Sequence, residues 1–167
     1  MARIVTFGNC RRFMSKKYHF IAIGGAVMHN LALSMVAKGY EVSGSDDEIY
    51  EPSRTRLENA GILPKEKGWF PDKIKADLDG IILGMHARID NPELQKAKEL
   101  NLSIFSFPEF IYEQSKEKKR VVISGSHGKT TITSMVLHVL QYHGLDFDYL
   151  VGAQIEGFDL MVKLSNA

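Results

Sequence analysis

The residues with the clearest capacity for chemistry lie in one stretch, Arg120-Val-Val-Ile-Ser-Gly-Ser-His-Gly-Lys-Thr-Thr-Ile-Thr133. Closely spaced glycines let backbone N–H groups approach an anion, and a following helix turns the positive end of its dipole toward it. Gly125, Ser126, His127, Gly128, Lys129, Thr130 and Thr131 would form the cradle. Lys129 would reach the β- and γ-phosphates, and the Thr130 hydroxyl would sit on Mg²⁺. The stretch therefore reads as an ATP phosphate loop, with Lys129 and Thr130 as its catalytic residues. His127 either touches phosphate through a ring N–H or packs the turn. The spacing is not that of the general pattern G-x-x-x-x-G-K-[ST]: Ile123 stands where the first glycine of that pattern belongs, and the glycine comes later, at Gly125.

Such a loop needs a strand before it and a helix after it. Val121, Val122 and Ile123 form a β-branched run of the kind found in buried strands, and Met135, Val136, Val139 and Leu140 recur at helical spacing up to Gly144. Tyr149-Leu-Val151 reads as one more strand. A strand-helix-strand piece of this size cannot bury a core of its own. Residues 120–167 are thus expected to be the first part of an ATP domain, and the 167-residue chain is expected to be inactive alone. His138 and His143, on the helix, read as structural.

A second constellation lies upstream. His19-Phe-Ile-Ala-Ile23 is a buried-strand run that leads at once into Gly24-Gly25. Leu31, Leu33, Met35 and Val36 follow on a helix ending near Gly39, and Tyr40-Glu-Val-Ser43 is the next strand, closing in Gly44-Ser45-Asp46. A βαβ unit with glycines at its first turn and an acid after its second strand is the Rossmann arrangement. Gly24, Gly25, Ala26, Val27 and Met28 would receive a diphosphate, and Asp46 would contact a nucleotide or serve as a cap. The dinucleotide fingerprint G-x-G-x-x-G is not satisfied, which disfavours NAD. A helix over Pro52–Ala60, a strand Gly80–Leu83, a helix Pro92–Leu100 and a strand Leu102–Phe105 continue the alternation. The alternation predicts an α/β fold, a Rossmann-like parallel sheet covered on both faces. Ligands of such sheets bind beyond the carboxyl ends of the strands, so Gly24, Asp46 and His86 should line one crevice. His86 and Arg88 would face the ligand or solvent, and Asn91, just before Pro92, would be an N-cap or a ligand contact.

The 167 residues divide into an extension at 1–17, the Rossmann-like domain at 18–106, a connecting helix at 107–119 and the ATP piece at 120–167. The extension carries five basic residues and no acid, and is expected to be disordered or non-native. A net charge of +1 gives no reason to invoke nucleic acid or an acidic membrane surface. The single cysteine, Cys10, excludes an internal disulfide framework and, with no apolar run long enough to span a bilayer, points to the cytoplasm.

The short loop form G-[ST]-x-G-K-[ST]-[ST], here Gly125 to Thr131, resembles that of the Mur ligases, which join amino acids or peptides to a carboxylate at the expense of ATP. His19-Phe-Ile-Ala-Ile-Gly-Gly-Ala-Val-Met28 is similar to the UDP-binding turn of the branch that uses UDP-N-acetylmuramate, and Gly44-Ser-Asp46 and Asp90-Asn-Pro-Glu93 also match it. The resemblance runs from about His19 to the end of the chain. It implies a UDP-sugar site at Gly24–Met28, Asp46, His86 and Asn91, with ATP and Mg²⁺ at the lysine loop. The substrates would be UDP-N-acetylmuramate and a peptide or amino-acid amine, joined through an acyl phosphate. Ser45-Asp-Asp-Glu-Ile-Tyr-Glu-Pro-Ser53, Leu83-Gly-Met-His-Ala87 and Gly157-Phe158 look like members that add L-Ala-γ-D-Glu-meso-diaminopimelate, the alternative being L-alanine. Val27, His29 and Asn30 depart from the small residues common after the glycines, and Trp69 stands where relatives often carry histidine. Other classes consistent with parts of the pattern are a small-molecule kinase, a folate-type polyglutamate ligase and a regulatory nucleotide-binding module without catalysis. The UDP-type turn speaks against the first two and the intact Lys129-Thr130-Thr131 against the last.

Overall fold

The computed structural model describes residues 15–85 and 87–165. The extension expected at 1–17 therefore falls largely outside the described residues, as does His86, while Lys17 already belongs to the first strand, where it pairs with its neighbour in the sheet. Four strands, β1 (Lys17–Ile21), β2 (Glu41–Ser45), β3 (Gly80–Leu83) and β4 (Ile104–Ser106), form a parallel sheet in the order β2-β1-β3-β4. Helices α1 (Ala26–Ala37), α2 (Ser53–Asn59), α3 (Pro92–Glu99) and α4 (Phe107–Ser115) make the crossovers and the exit from the sheet. The register is set by the apolar runs: Phe20 pairs with Gly44 and Ile82, and Ile21 with Ser45 and Leu83.

Side chains alternate across a strand, so neighbours on β1 and β3 feed opposite layers. Phe20 and Ile82 pack with Leu31, Met35, Leu57 and Phe110 from α1, α2 and α4. Ile21 and Ile81 pack on the other face with Ile74, Leu94 and Ala97. Covering both faces is what a parallel sheet requires, and each fully buried aliphatic or aromatic side chain contributes about 1.5–3 kcal/mol. Local signals set the helix starts. Asn91 Oδ1 accepts from the N–H groups of Glu93 (2.9 Å) and Leu94 (3.1 Å), with Pro92 in the first turn of α3. Ser106 and Glu109 form a reciprocal capping box on α4.

Beyond α4 the structure departs from the sequence expectation. Val121, Val122 and Ile123 are not a strand, and the two valines are 79% and 84% exposed. A strand is a pairing, and none of the described strands pairs with this run. Helix α5 (Lys129–Tyr142) forms as expected, yet Met135, Val136 and Val139 of its apolar stripe face solvent and only Leu137 is buried. The strand expected at 149–151 is a two-residue β5 (Tyr149–Leu150) running antiparallel to β6 (Val162–Lys163).

The end of this hairpin does not stand apart from the first sheet but lies on α1. Val162 is fully buried in the same core layer as Leu31 and Met35. Ser34 Oγ accepts the Leu164 N–H at 2.7 Å, Asn30 Oδ1 accepts the Met161 N–H at 3.0 Å, and Arg56 donates to the Asp159 carbonyl at 3.1 Å. Side chains of α1 and α2 thus satisfy backbone groups that a lone hairpin edge would leave bare. Ser34→Ala is expected to lower the unfolding free energy by about 1–3 kcal/mol, because the Leu164 N–H is left buried without an acceptor. Urea unfolding curves measure this, and an unchanged midpoint would show that the hairpin is not held there.

Candidate functional site

Two phosphate-type turns are present, and the first is built at the carboxyl end of β1. The strand stops at Ile21 because Ala22 takes a left-handed conformation, φ 67°, that a glycine would adopt more readily. This bend is held from both sides. The Ala22 and Ile23 N–H groups donate to the Ser45 carbonyl at 2.9 and 3.1 Å, and the Gly84 N–H donates to the Ile21 carbonyl at 2.8 Å. Gly84 is required here, since a Cβ would lie 2.9 Å from that carbonyl oxygen and 2.9 Å from the Ala22 methyl.

The chain then enters α1 through Gly24 and Gly25, the latter in the N-cap position with no side-chain cap. Asp46 Oδ2 accepts the Gly24 N–H at 2.7 Å, and the Asp46 carbonyl accepts the Gly68 N–H at 2.8 Å. Gly24 and Asp46 are therefore brought together as the sequence suggested, with Asp46 serving as the cap of the glycine turn. Asp46 as a residue is only 6% exposed. Burial pushes it above the usual carboxylate range, the Gly24 N–H works against that shift, and Asp47 adds to it. Ala26 and Val27 are exposed on the first turn of α1, but Met28 turns its side chain into the core, leaving its backbone as the part nearest the turn. Asn91 is buried and occupied as the cap of α3. Arg88 is exposed and pairs with Asp90 at 3.2 Å.

Residues that the sequence reading set aside as departures prove to brace the turn. His29 Nδ1 lies 2.9 Å from the Gly25 carbonyl and 2.9 Å from Ser53 Oγ, while Asn30 Nδ2 donates to His29 Nε2 at 3.0 Å. One neutral tautomer satisfies these contacts, with the proton on Nδ1. Burial lowers the His29 pKa, the Gly25 carbonyl opposing and the Arg56 charge reinforcing that shift. A histidine held neutral in the fold but protonated when unfolded stabilises fully above the unfolded value of about 6.5. That contribution is lost as pH falls from there toward the lower folded value. Thermal unfolding between about pH 7.5 and 5 is expected to show a falling midpoint that His29→Gln flattens. A parallel pH dependence in the variant would exclude His29 as the source.

A buried polar cluster lies behind the same turn. Glu93 Oε1 accepts from Ser45 Oγ at 2.5 Å and from the Phe70 N–H at 2.7 Å, and Oε2 lies 3.4 Å from His19 Nε2. His19, Ser45 and Glu93 all have zero exposure. Sequence reasoning noted Glu93 only within a motif and His19 only within a strand. The available signal was polar residues inside otherwise apolar runs.

The second turn leads into α5. Gly125 and Gly128 have φ of 152° and 76°, and Gly128 is the N-cap residue. Lys129 Nζ folds back over the loop to the carbonyls of Gly125 (2.5 Å) and Ser126 (3.2 Å). His127 Nδ1 is 3.3 Å from Ser126 Oγ. Ser126 to Thr131 are all exposed, so nothing shields the lysine, and the first-turn N–H groups of α5 have no side-chain cap. A cationic side chain beside a glycine-flanked, uncapped helix start fits a polyphosphate, and the Thr130 hydroxyl has the donor chemistry for a hard divalent cation carried with it. Among the described residues no group of three or more His, Cys, Asp or Glu is placed to hold a metal ion, and no helix is long and apolar enough to cross a membrane.

A parallel sheet covered on both faces, with a capped glycine turn at its carboxyl end and a glycine-lysine loop further on, defines an α/β protein of the Rossmann-like class. The family pattern for the Mur ligase family, catalytic domain, matches residues 17–119. The chain belongs to the Mur ligase family. It is 39% identical over 153 residues to the UDP-N-acetylmuramate–L-alanine ligase of Dictyoglomus turgidum, covering 91% of this chain and 32% of that one. It is 40% identical over 145 residues to the ligase of the same description from Clostridium perfringens, covering 86% and 31%. The chain thus spans about a third of the length of these relatives.

Among solved structures it resembles the UDP-N-acetylmuramate:L-alanyl-gamma-D-glutamyl-meso-diaminopimelate ligase from Neisseria meningitides, with a TM-score of 0.75 and 33% identity over 90% of this chain and 47% of that one. It also resembles the UDP-N-acetylmuramate-alanine ligase of Thermotoga maritima, with a TM-score of 0.70 and 29% identity over 88% and 34%. Coverage of nine-tenths of the chain takes in the lysine loop, which lies beyond the family pattern's span.

Proposed function

We infer that this chain is the nucleotide-handling part of an ATP-dependent ligase of peptidoglycan precursors, acting in the cytoplasm. It would hold UDP-N-acetylmuramate at the turn formed by Gly24–Met28 and Asp46, Asn91 serving as the cap of α3. ATP with Mg²⁺ would bind at Gly125–Thr131. The observation that supports this most directly is the presence in one chain of both turns, the first capped by a buried acid and the second carrying an exposed lysine. A regulatory module using the first turn alone has no use for the second.

ATP, when bound, supplies the phosphoryl group that activates the lactyl carboxylate of the muramate for attack by an amine. The protein's part is positioning and charge neutralisation, since a carboxylate and a polyphosphate repel each other. The loop N–H groups orient the phosphates, Lys129 swings from its own loop carbonyls to the transferring group, and Thr130 holds the cation. We assign the amine as L-Ala-γ-D-Glu-meso-diaminopimelate, on Ser45–Ser53, Gly157-Phe158 and the similarity to the Neisseria structure. L-Alanine is the second reading, favoured by the descriptions of the curated relatives.

Calorimetric titration with UDP-N-acetylmuramate, against UDP-glucose and NAD as controls, tests the first site. Saturable binding of the muramate nucleotide alone is expected, and binding of NAD instead would overturn the assignment. In a chain of the relatives' full length, ADP release on adding the tripeptide or L-alanine decides the amine.

A further inference from the structure

We propose that Glu93 is a positioning residue for the first nucleotide turn, acting through Ser45 and the 68–70 segment rather than by touching ligand. The inference rests on the UDP-sugar reading of that turn for its functional consequence, though not for its geometry. A carboxyl group with no solvent exposure is costly to bury, and apolar residues of similar volume in such places often give an equally stable or more stable protein. Its contacts indicate what it does in return. One oxygen accepts both the Ser45 hydroxyl (2.5 Å) and the Phe70 N–H (2.7 Å), while the other faces His19 Nε2 at 3.4 Å. His19 is itself tied by Nδ1 to Ser43 Oγ at 2.8 Å.

The carboxyl therefore joins β1, the end of β2, the start of α3 and the segment after Gly68. Two of the joined points, Ser45 and Phe70, lie one and two residues from groups that hold the turn. Ser45 precedes Asp46, whose side chain caps Gly24 at 2.7 Å, and the Ser45 carbonyl receives the Ala22 and Ile23 N–H groups that bend β1. Phe70 lies two residues after Gly68, whose N–H reaches the Asp46 carbonyl at 2.8 Å. Asp46 is thus gripped from both sides by segments that converge on one carboxyl.

The test is Glu93→Gln, which keeps the volume but loses one of the two acceptor oxygens, with Ser45→Ala as a second variant that removes only the donating hydroxyl. Amide hydrogen exchange is followed at Gly24 and Gly68, with Gly84 as the reference on the far side of β1, alongside calorimetric affinity for UDP-N-acetylmuramate. Both variants are expected to speed exchange at Gly24 and Gly68 relative to Gly84, and to weaken the nucleotide roughly tenfold or more. Unchanged affinity, or equal acceleration at all three amides, would assign Glu93 to general core stability and overturn the proposal. If wild-type protein fails to bind the nucleotide while Gly24 and Gly68 still loosen selectively, the UDP-sugar reading is wrong and the positioning of the turn stands.

Discussion

Replacing Lys129 with alanine is expected to reduce ATP-dependent ligation by about 10²–10³-fold or more in a full-length ligase, the scale seen when one donor to a developing charge is removed. The reasoning is electrostatic. Activation of a carboxylate by a triphosphate brings two anions together, and among the residues of the loop only Lys129 carries a formal positive charge. Its ammonium now rests on the Gly125 and Ser126 carbonyls, neutral acceptors it can leave without stranding a buried charge, because the loop is exposed. The same exposure predicts that the variant keeps its fold. Denaturant midpoints for Lys129→Ala should stay within error of the wild type while ATP affinity by calorimetry falls. Wild-type turnover in that variant would refute the loop as the ATP site.

Gly24→Ala carries the second large effect. A methyl at that position would lie 2.9 Å from Asp46 Oδ2 and 3.0 Å from Ile49 Cγ1, so one of them must move. Ile49 packs against the core layer of α1, whereas the carboxylate can rotate, and its rotation breaks the bond to the Gly24 N–H. A hydrogen bond to a charged acceptor is worth about 1.5–3 kcal/mol, or roughly 10- to 100-fold in an equilibrium constant. We expect affinity for UDP-N-acetylmuramate to drop by that factor, while ATP binding at Gly125–Thr131 is untouched. Equal loss at both sites would mean that the substitution had damaged the fold rather than the turn.

Much of this architecture was legible before any coordinates, and the elements read correctly share a cause. β1 and β3 centre on apolar residues that the sheet buries on both faces, α3 is announced by Asn91-Pro92, and α4 by Ser106 with Glu109 three residues on. Both glycine turns were placed for the same reason: left-handed or closely approached backbone leaves a glycine in the sequence. The expectations that failed concern partners. Val121–Ile123 have strand-forming side chains and Met135, Val136 and Val139 have core-facing spacing, yet all but Ile123 are exposed to solvent, because intrinsic preference creates neither a neighbouring strand nor an opposing layer.

The sequence by itself determined the element order as far as α4, the parallel α/β class and the position of the two glycine turns, since each element is written within about ten consecutive residues. Only the tertiary structure decided what stands behind those turns. His19 meets Glu93 across 74 residues, Ser45 meets it across 48, and Ser34 meets Leu164 across 130. No local pattern specifies such pairings. They arise when the apolar layers close around the sheet and every polar group carried inside must find an acceptor or donor there.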